Sequence, residues 1–299
     1  MAAPVPVIDI QDFPAQLSKL IEACAEWGCF RIVNFDGILP GSLMSEMKAV
    51  VKSLLELPEE IKRRNVDVIA GSGYMAPSKI NPLYEALGLY DTGNTEAVDS
   101  FCSMLDASPH QRAVVLKYAK AVNELMMYIG QKMGEGLGLS GISFEKWICQ
   151  FRINKYNFSP ETVGSPGVQI HTDSSFLTIL QDDEIIGGLE VKKRSGTFVA
   201  IDPWPGTLLV NLGDIAAVWS NGRFLNVEHR VMCKEAGLRF SIASFLLGPE
   251  ETMVETPPEL IDSVHPRMYN PFMYQDYREF RMSNKFHSGE ALGHLRIES

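Results

Sequence analysis

Between residues 146 and 249 the chain is written in short β-prone runs: WICQFRINKYNF, FLTILQ, GLEV, GTFVAI, TLLVNL, HRVMC and RFSIASFLL, each cut off by Gly, Asp, Pro or Asn. Runs so short and evenly spaced predict a sandwich or jelly roll rather than a parallel sheet with crossover helices. The first 107 residues differ in kind. VPVIDI reads as a short extended segment, Leu17, Leu20, Ile21 and Cys24 recur at helical spacing up to Trp27-Gly28, and CFRIVNF reads as a strand turning at Asp36-Gly37. A second helix starts near Pro40, carries Met44, Met47, Val51 and Leu54 on one face, and stops before Pro58. Residues 71–99 read as a long irregular loop, rich in Gly, Pro and Tyr, of the kind that lies over a site. Ser108-Pro109-His110-Gln111 combines an N-cap Ser, Pro at the first helical position and Gln at N3, so a supporting helix is predicted over 108–138. A Pro-rich, then helical tail follows over 250–299. The fold class is therefore α+β: a helical N-terminal region, a jelly-roll core over 146–249 and a helical C-terminal tail.

Chemistry concentrates in that core. In His171-Thr172-Asp173 an extended backbone projects residues i and i+2 to one face, and His229 follows in the run EHRVMC. Two imidazoles and one carboxylate make the facial ligand set of non-haem Fe(II) sites, which leaves metal positions open. Taken alone, a His-x-Asp is common and carries little weight. Beyond His229 comes Arg239-Phe240-Ser241, where alternation puts Arg239 and Ser241 on one face with Ala243 and Phe245. An arginine inside a β core is costly unless an anion pairs with it, and a guanidinium grips a carboxylate through two parallel hydrogen bonds. The implied ligand is a small dicarboxylate, one end on Arg239 and Ser241 and the other on the metal. Upstream, Asn154 and Tyr156 share a strand face, and so do Gln150 and Arg152. If Tyr156 faces the site, Arg152 does too; it then binds a substrate carboxylate or pairs with an internal Asp or Glu.

Composition closes off other classes. Twenty-seven basic against 37 acidic residues leave a net charge of −10, which argues against binding duplex nucleic acid. No apolar run is long enough to span a membrane, and the opening MAAPVPVIDIQDF lacks the basic start of a signal peptide. Five scattered cysteines without a CxxC pair read as reduced, buried thiols of a cytoplasmic protein. There is no Gly-rich phosphate loop either.

HTD…H, NKY and RFS, with the running texts HTDSSFLTIL, VNLGDIAAVWSNGRFLNVEHRV and EWGCFRIVN, resemble the plant-type 2-oxoglutarate- and Fe(II)-dependent dioxygenases over nearly the whole chain. The resemblance implies a double-stranded β-helix, iron held by His171, Asp173 and His229, and the distal 2-oxoglutarate carboxylate held by Arg239 and Ser241 with Tyr156 and Asn154. Fe(II), 2-oxoglutarate and O2 would be the cofactor and co-substrates. GSGYMAPSKINPLYEALGLYD, QFRINKYNFSPETVG and RFSIASFLLGP are most similar to the branch of that family that oxidises auxin. That implies hydroxylation of indole-3-acetic acid, or of an amino-acid conjugate, at ring carbon 2 to the oxindole, with release of succinate and CO2. Phe245, Arg152, Phe176 and Tyr74 are the substrate candidates, core packing being the alternative for Phe176 and Tyr74. The partner expected is this small molecule, with the chain a monomer or a homodimer. A related hormone dioxygenase such as a gibberellin 2-oxidase, a non-catalytic ligand sensor and a zinc hydrolase are the rival readings; Arg239-x-Ser241 has no role in the last.

Overall fold

The computed structural model of the chain describes residues 5–13 and 15–297. The first four residues, part of the stretch judged for a signal peptide, lie outside them. Two sheets face one another. The larger runs β1 (Val7–Asp9), β2 (Cys29–Val33), β9 (Leu208–Leu212), β6 (Leu177–Gln181), β11 (Gly237–Pro249), β4 (Trp147–Phe158), β3 (Tyr84–Tyr90). The smaller runs β5 (Pro166–His171), β10 (His229–Met232), β7 (Leu189–Lys192), β8 (Phe198–Ala200). Every pairing within them is antiparallel except β1 with β2. This is the jelly roll that the spacing of the β-prone runs implies. Three of its strands come from the first 107 residues, so the N-terminal region is built into the sheet.

Helices α1 (Leu17–Glu26), α2 (Gly41–Leu55), α3 (Glu59–Lys62) and α4 (Thr95–Met104) precede α5 (Pro109–Gly136). The capping box at Ser108 is formed in full: Gln111 N–H donates to Ser108 Oγ at 3.2 Å, and Ser108 N–H donates to Gln111 Oε1 at 2.7 Å. From there Val115, Tyr118, Val122, Leu125, Ile129 and Met133 keep one buried face, which packs α5 against α1, α2 and α4 and onto the outside of β6 and β11. The Tyr118 hydroxyl donates to Gln181 Oε1 at 3.0 Å, and Gln181 Nε2 donates to the Met44 carbonyl at 3.1 Å, so the end of β6 is pinned from behind by two helices. A short helix, α6 (Asp214–Trp219), interrupts the β-rich region, and the tail carries α7 (Tyr274–Ser283) and α8 (Glu290–Gly293).

The stretch 71–99 is not an irregular loop throughout. Tyr84–Tyr90 is the edge strand β3, and α4 starts at Thr95. YEALGLY hides its strand character because Gly88 interrupts the pattern, and that glycine has a steric reason: a Cβ there would fall 1.9 Å from the Ser72 carbonyl oxygen. The irregular part, 65–75, is folded onto β3. The Asn65 amide both donates to and accepts from the Gly88 backbone (2.9 and 3.0 Å), and Asp67 accepts from the N–H groups of Gly71 and Gly73 (2.8 and 2.6 Å). Replacing Gly88 with Ala must part this loop from the strand. We expect a loss of about 2 kcal/mol, the usual cost of overpacking, measured by urea denaturation against the wild type.

Candidate metal and co-substrate site

His171 and His229 are cross-strand partners in the pairing of β5 with β10, with ring centroids 4.2 Å apart. Each Nδ1 faces a backbone carbonyl, Gln169 for His171 (2.8 Å) and Val227 for His229 (3.1 Å). A carbonyl only accepts, so Nδ1 carries the proton and Nε2 keeps its lone pair. Both Nε2 atoms lie 3.7 Å from Asp173 Oδ1. Asp173 Oδ2 is occupied by the Thr178 hydroxyl, which donates at 2.6 Å, so one carboxylate oxygen is left to the cluster. The three ligand atoms lie within 4.8 Å of one another. Strand β5 ends at His171, so Asp173 reaches the cluster from a bend rather than by strand alternation.

The charges suit a divalent metal. Burial, then the neighbouring His229, push the His171 imidazole down to about 4, so it is a neutral donor at ordinary pH. Burial works against ionisation of Asp173, but the two imidazoles and the Thr178 hydroxyl outweigh it and hold the carboxyl below its usual range. Two imidazole nitrogens and one carboxylate are the donor set that non-haem Fe(II) takes, with the rest of its coordination open.

The register of β4 against β11 sets Arg239 opposite Tyr156, Ser241 opposite Asn154, and Ala243 opposite Arg152. The Arg239 side chain is 1% exposed and lies over the Tyr156 ring, 4.6 Å from its centroid. One Nη donates to Asp182, while Nε and the other Nη are buried without any partner. Burial keeps the Asp182 carboxyl above its usual range, with Arg239 pulling the other way. Unpartnered donors on a buried cation are costly, and they are what the far carboxylate of a dicarboxylate would satisfy. The Tyr84 hydroxyl donates to Asn154 Oδ1 (2.8 Å) and Asn154 Nδ2 donates to Ser241 Oγ (3.2 Å), which holds both polar groups in place beside Arg239. Arg239, Ser241, Asn154, Tyr156 and the three ligand candidates line one inner chamber of about 150 Å³.

Arg152, Phe245 and Tyr84 lead from that chamber to an outer one of about 360 Å³. Its walls are Met75, Val168, Phe245, Leu247 and Met282; three arginines, Arg152, Arg278 and Arg281, line it, and among the described residues Asp173 is its only carboxylate. Among the described residues Arg152 pairs with no acid. Its side chain stands between Gly88 and Ala243 on the neighbouring strands and donates to the carbonyls of Gly71 and Gly73. A larger groove of about 870 Å³, between Asp91 and Glu251, contains none of these residues.

Two of the substrate candidates are not brought to the site. Phe176 is fully buried among Phe144, Trp147 and Trp219, with ring centroids 4.9 to 5.4 Å away. The bend after Asp173 breaks the alternation and turns it into the core. The Tyr74 hydroxyl donates to Glu85 Oε1 at 2.7 Å on the opposite face of β3, and Met75, one residue on, takes the inward place. Sequence reasoning also passed over Thr178, Asp182 and Tyr84. Thr178 was reachable from the alternation of FLTILQ, which points it to the same face as the site; Asp182 was reachable only as the anion a buried Arg239 demands.

Residues 147–248 match the 2OG-Fe(II) oxygenase superfamily, and residues 5–87 match the N-terminal region described as non-haem dioxygenase in morphine synthesis. The 2-oxoglutarate-dependent dioxygenase DAO of Oryza sativa subsp. indica is 52% identical over 281 residues, 94% of this chain and 93% of the relative. The crystal structure of the dioxygenase for auxin oxidation in rice superposes with a TM-score of 0.91 at 48% identity, over 98% of this chain and all of that one. The dioxygenase for auxin oxidation 1 of Arabidopsis thaliana, bound to 2-oxoglutarate, gives 0.85 at 55% identity, over 88% of this chain and all of that one. The chain thus belongs to the 2OG-Fe(II) oxygenase superfamily, as a dioxygenase that uses Fe(II), 2-oxoglutarate and O2.

Proposed function

We propose that this dioxygenase oxidises indole-3-acetic acid, or an amino-acid conjugate of it, at ring carbon 2 to the oxindole, so inactivating the hormone. The observation that carries the substrate reading is the outer chamber: apolar walls suited to a flat ring, three guanidinium groups at its margin and, among the described residues, no carboxylate other than Asp173. An acidic protein that lines one cavity with arginines is built to draw in an anion. The similarity to rice and Arabidopsis enzymes named for auxin oxidation supports the same substrate.

In this reading His171, Asp173 and His229 hold the iron. Arg239 and Ser241, steadied by Asn154 and stacked on Tyr156, hold the distal carboxylate of 2-oxoglutarate. Bound there, iron couples reduction of O2 to decarboxylation of 2-oxoglutarate, giving succinate and CO2, and to oxygenation of the substrate. The chain itself orients and excludes water. Arg239 fixes the co-substrate at one end, and Phe245, on the wall shared by both chambers, packs the indole ring beside the cluster. The loop carbonyls of Gly71 and Gly73 that accept from Arg152 carry no charge to cancel its own, so it draws the substrate carboxylate to the mouth. Five free, buried cysteines support a reducing, cytoplasmic setting, and no helix among the described residues is long and apolar enough to cross a membrane.

Product analysis by mass spectrometry decides the reaction. With Fe(II) and 2-oxoglutarate, indole-3-acetic acid should yield its oxindole and equimolar succinate, while gibberellins yield none. Succinate release coupled to gibberellins alone would transfer the proposal to that substrate, and no turnover with any acid would favour a sensor. Arg239→Lys keeps the charge but loses the fork, so KM for 2-oxoglutarate should rise by about 10- to 100-fold, the worth of a charged hydrogen bond, with the thermal midpoint little changed. Arg152→Met should raise KM for indole-3-acetate by about tenfold and for neutral indole-3-acetamide much less. Equal increases would reduce Arg152 to a support for the loop that carries Gly71 and Gly73.

A further inference from the structure

Asp214, at the first position of α6, is a fully buried carboxylate with no part in the proposed reaction. Three side chains donate to it: Asn226 Nδ2 at 2.9 Å, the Tyr277 hydroxyl at 2.7 Å, and Arg281 Nη1. Its own backbone, Asn226 and Arg281 lead back to the metal cluster, and Tyr277 ties it to α7. The N–H of Asp214 donates to the carbonyl of Asp173 at 2.8 Å. Asn226 precedes Val227, whose carbonyl orients His229. Arg281 Nη2 donates to the carbonyl of Thr172, between His171 and Asp173, and at 2.8 Å to that of His287, which in turn accepts from the Thr172 N–H at 2.8 Å. The approach is close enough to dictate sequence: a Cβ on Gly213 would fall 2.2 Å from the Ser175 carbonyl oxygen and 2.7 Å from that of Asp173.

This bracing sits where the sheet gives none. Strand β5 stops at His171, so no ladder holds the backbone of Thr172 and Asp173. We propose that Arg281 is a positioning residue for the metal cluster, and that the tail helix α7, acting through Asp214, sets the affinity of that cluster for its metal. The inference rests on reading His171, Asp173 and His229 as the iron ligands. A guanidinium suits the task, since its planar fork bridges a carboxylate and two carbonyls that a lysine cannot span together. Removing it leaves the buried Asp214 without its cationic partner and loosens the carbonyl between two ligands.

The test is calorimetric titration of the metal-free full chain with Co(II), without co-substrate, alongside thermal melting and the visible spectrum of the Co(II) form. Wild type should bind one Co(II), and His171→Ala should abolish the binding. Arg281→Met should weaken it by about 10- to 100-fold, as loss of a group that braces ligands does, and shift the visible bands. Arg281→Lys should recover only part of the loss. Tyr277→Phe removes one hydrogen bond and no charge; it should weaken binding by a few-fold and serves as the deciding variant where Arg281→Met does not fold. A merely structural role would lower the melting midpoint and leave both Kd and spectrum unmoved. Affinity within about twofold of wild type in folded Arg281→Met, or in Tyr277→Phe as its substitute, overturns the proposal. Undiminished binding by His171→Ala would instead overturn the ligand reading beneath it.

Discussion

The pairing of β5 with β10 is the constraint on which the site depends. It places His171 directly opposite His229, two residues far apart in the chain, and both rings are then oriented by carbonyls two residues upstream on their own segments. A register shift by one residue would send one imidazole to the other face of the sheet and dissolve the cluster. The third ligand candidate obeys a different rule. Asp173 lies beyond the end of the strand, and its position is set by Thr178 on the facing sheet and by the backbone of α6. Metal binding is therefore spread over both sheets and the loops that join them, and needs the whole sandwich in place.

The buried guanidinium of Arg239 shows how the fold tolerates an unfinished interaction. Taking a cation out of water costs several kcal/mol unless an anion answers it. Asp182 answers in part and leaves two donors idle. The cost is carried by the large apolar core behind β6 and β11, where Tyr118 and Gln181 anchor the strand end next to Asp182. In the proposed binding mode the far carboxylate of the co-substrate completes the interaction, so it should bind tightly to a site already in shape rather than to one that must form around it.

Much of this was legible in the sequence, for a physical reason. Strand alternation has a period of two, so RFSIASF and QFRINKY state which residues share a face, and Arg239, Ser241, Asn154, Tyr156, Arg152 and Phe245 all line the chambers. The period is a local property and fails where the chain bends, which is why Phe176, after the turn at Ser174, went to the core. Tyr74 failed by a single residue, in a loop whose path is set by contacts with β3 and not by its own pattern. The edge strand β3 was hidden for a related reason: its glycine is demanded by the Ser72 carbonyl, a partner no local pattern contains. Asp214 and Arg281 lie beyond such reading altogether. They meet only because the tail crosses back over the HTD segment, and a contact across that many residues leaves no periodic trace.

The three arginines around the outer chamber share a feature that reconciles the acidic chain with an anionic substrate. Arg152 donates to the carbonyls of Gly71 and Gly73, Arg278 to that of Ala70, and Arg281 to those of Thr172 and His287. A carbonyl satisfies a donor without cancelling its charge. Geometry is thereby fixed and the positive potential kept, which an ordinary ion pair would have discharged. Among the described residues only Arg281 also meets a carboxylate, Asp214, and that acid is fully buried. In a chain whose net charge is −10, the chamber is a positive island whose cations are held in place largely by neutral backbone. Such cations need no reorganisation when a carboxylate arrives. The same bonds clamp the 70–73 loop between β4 and α7, so the groups that attract the substrate also hold the wall that encloses it.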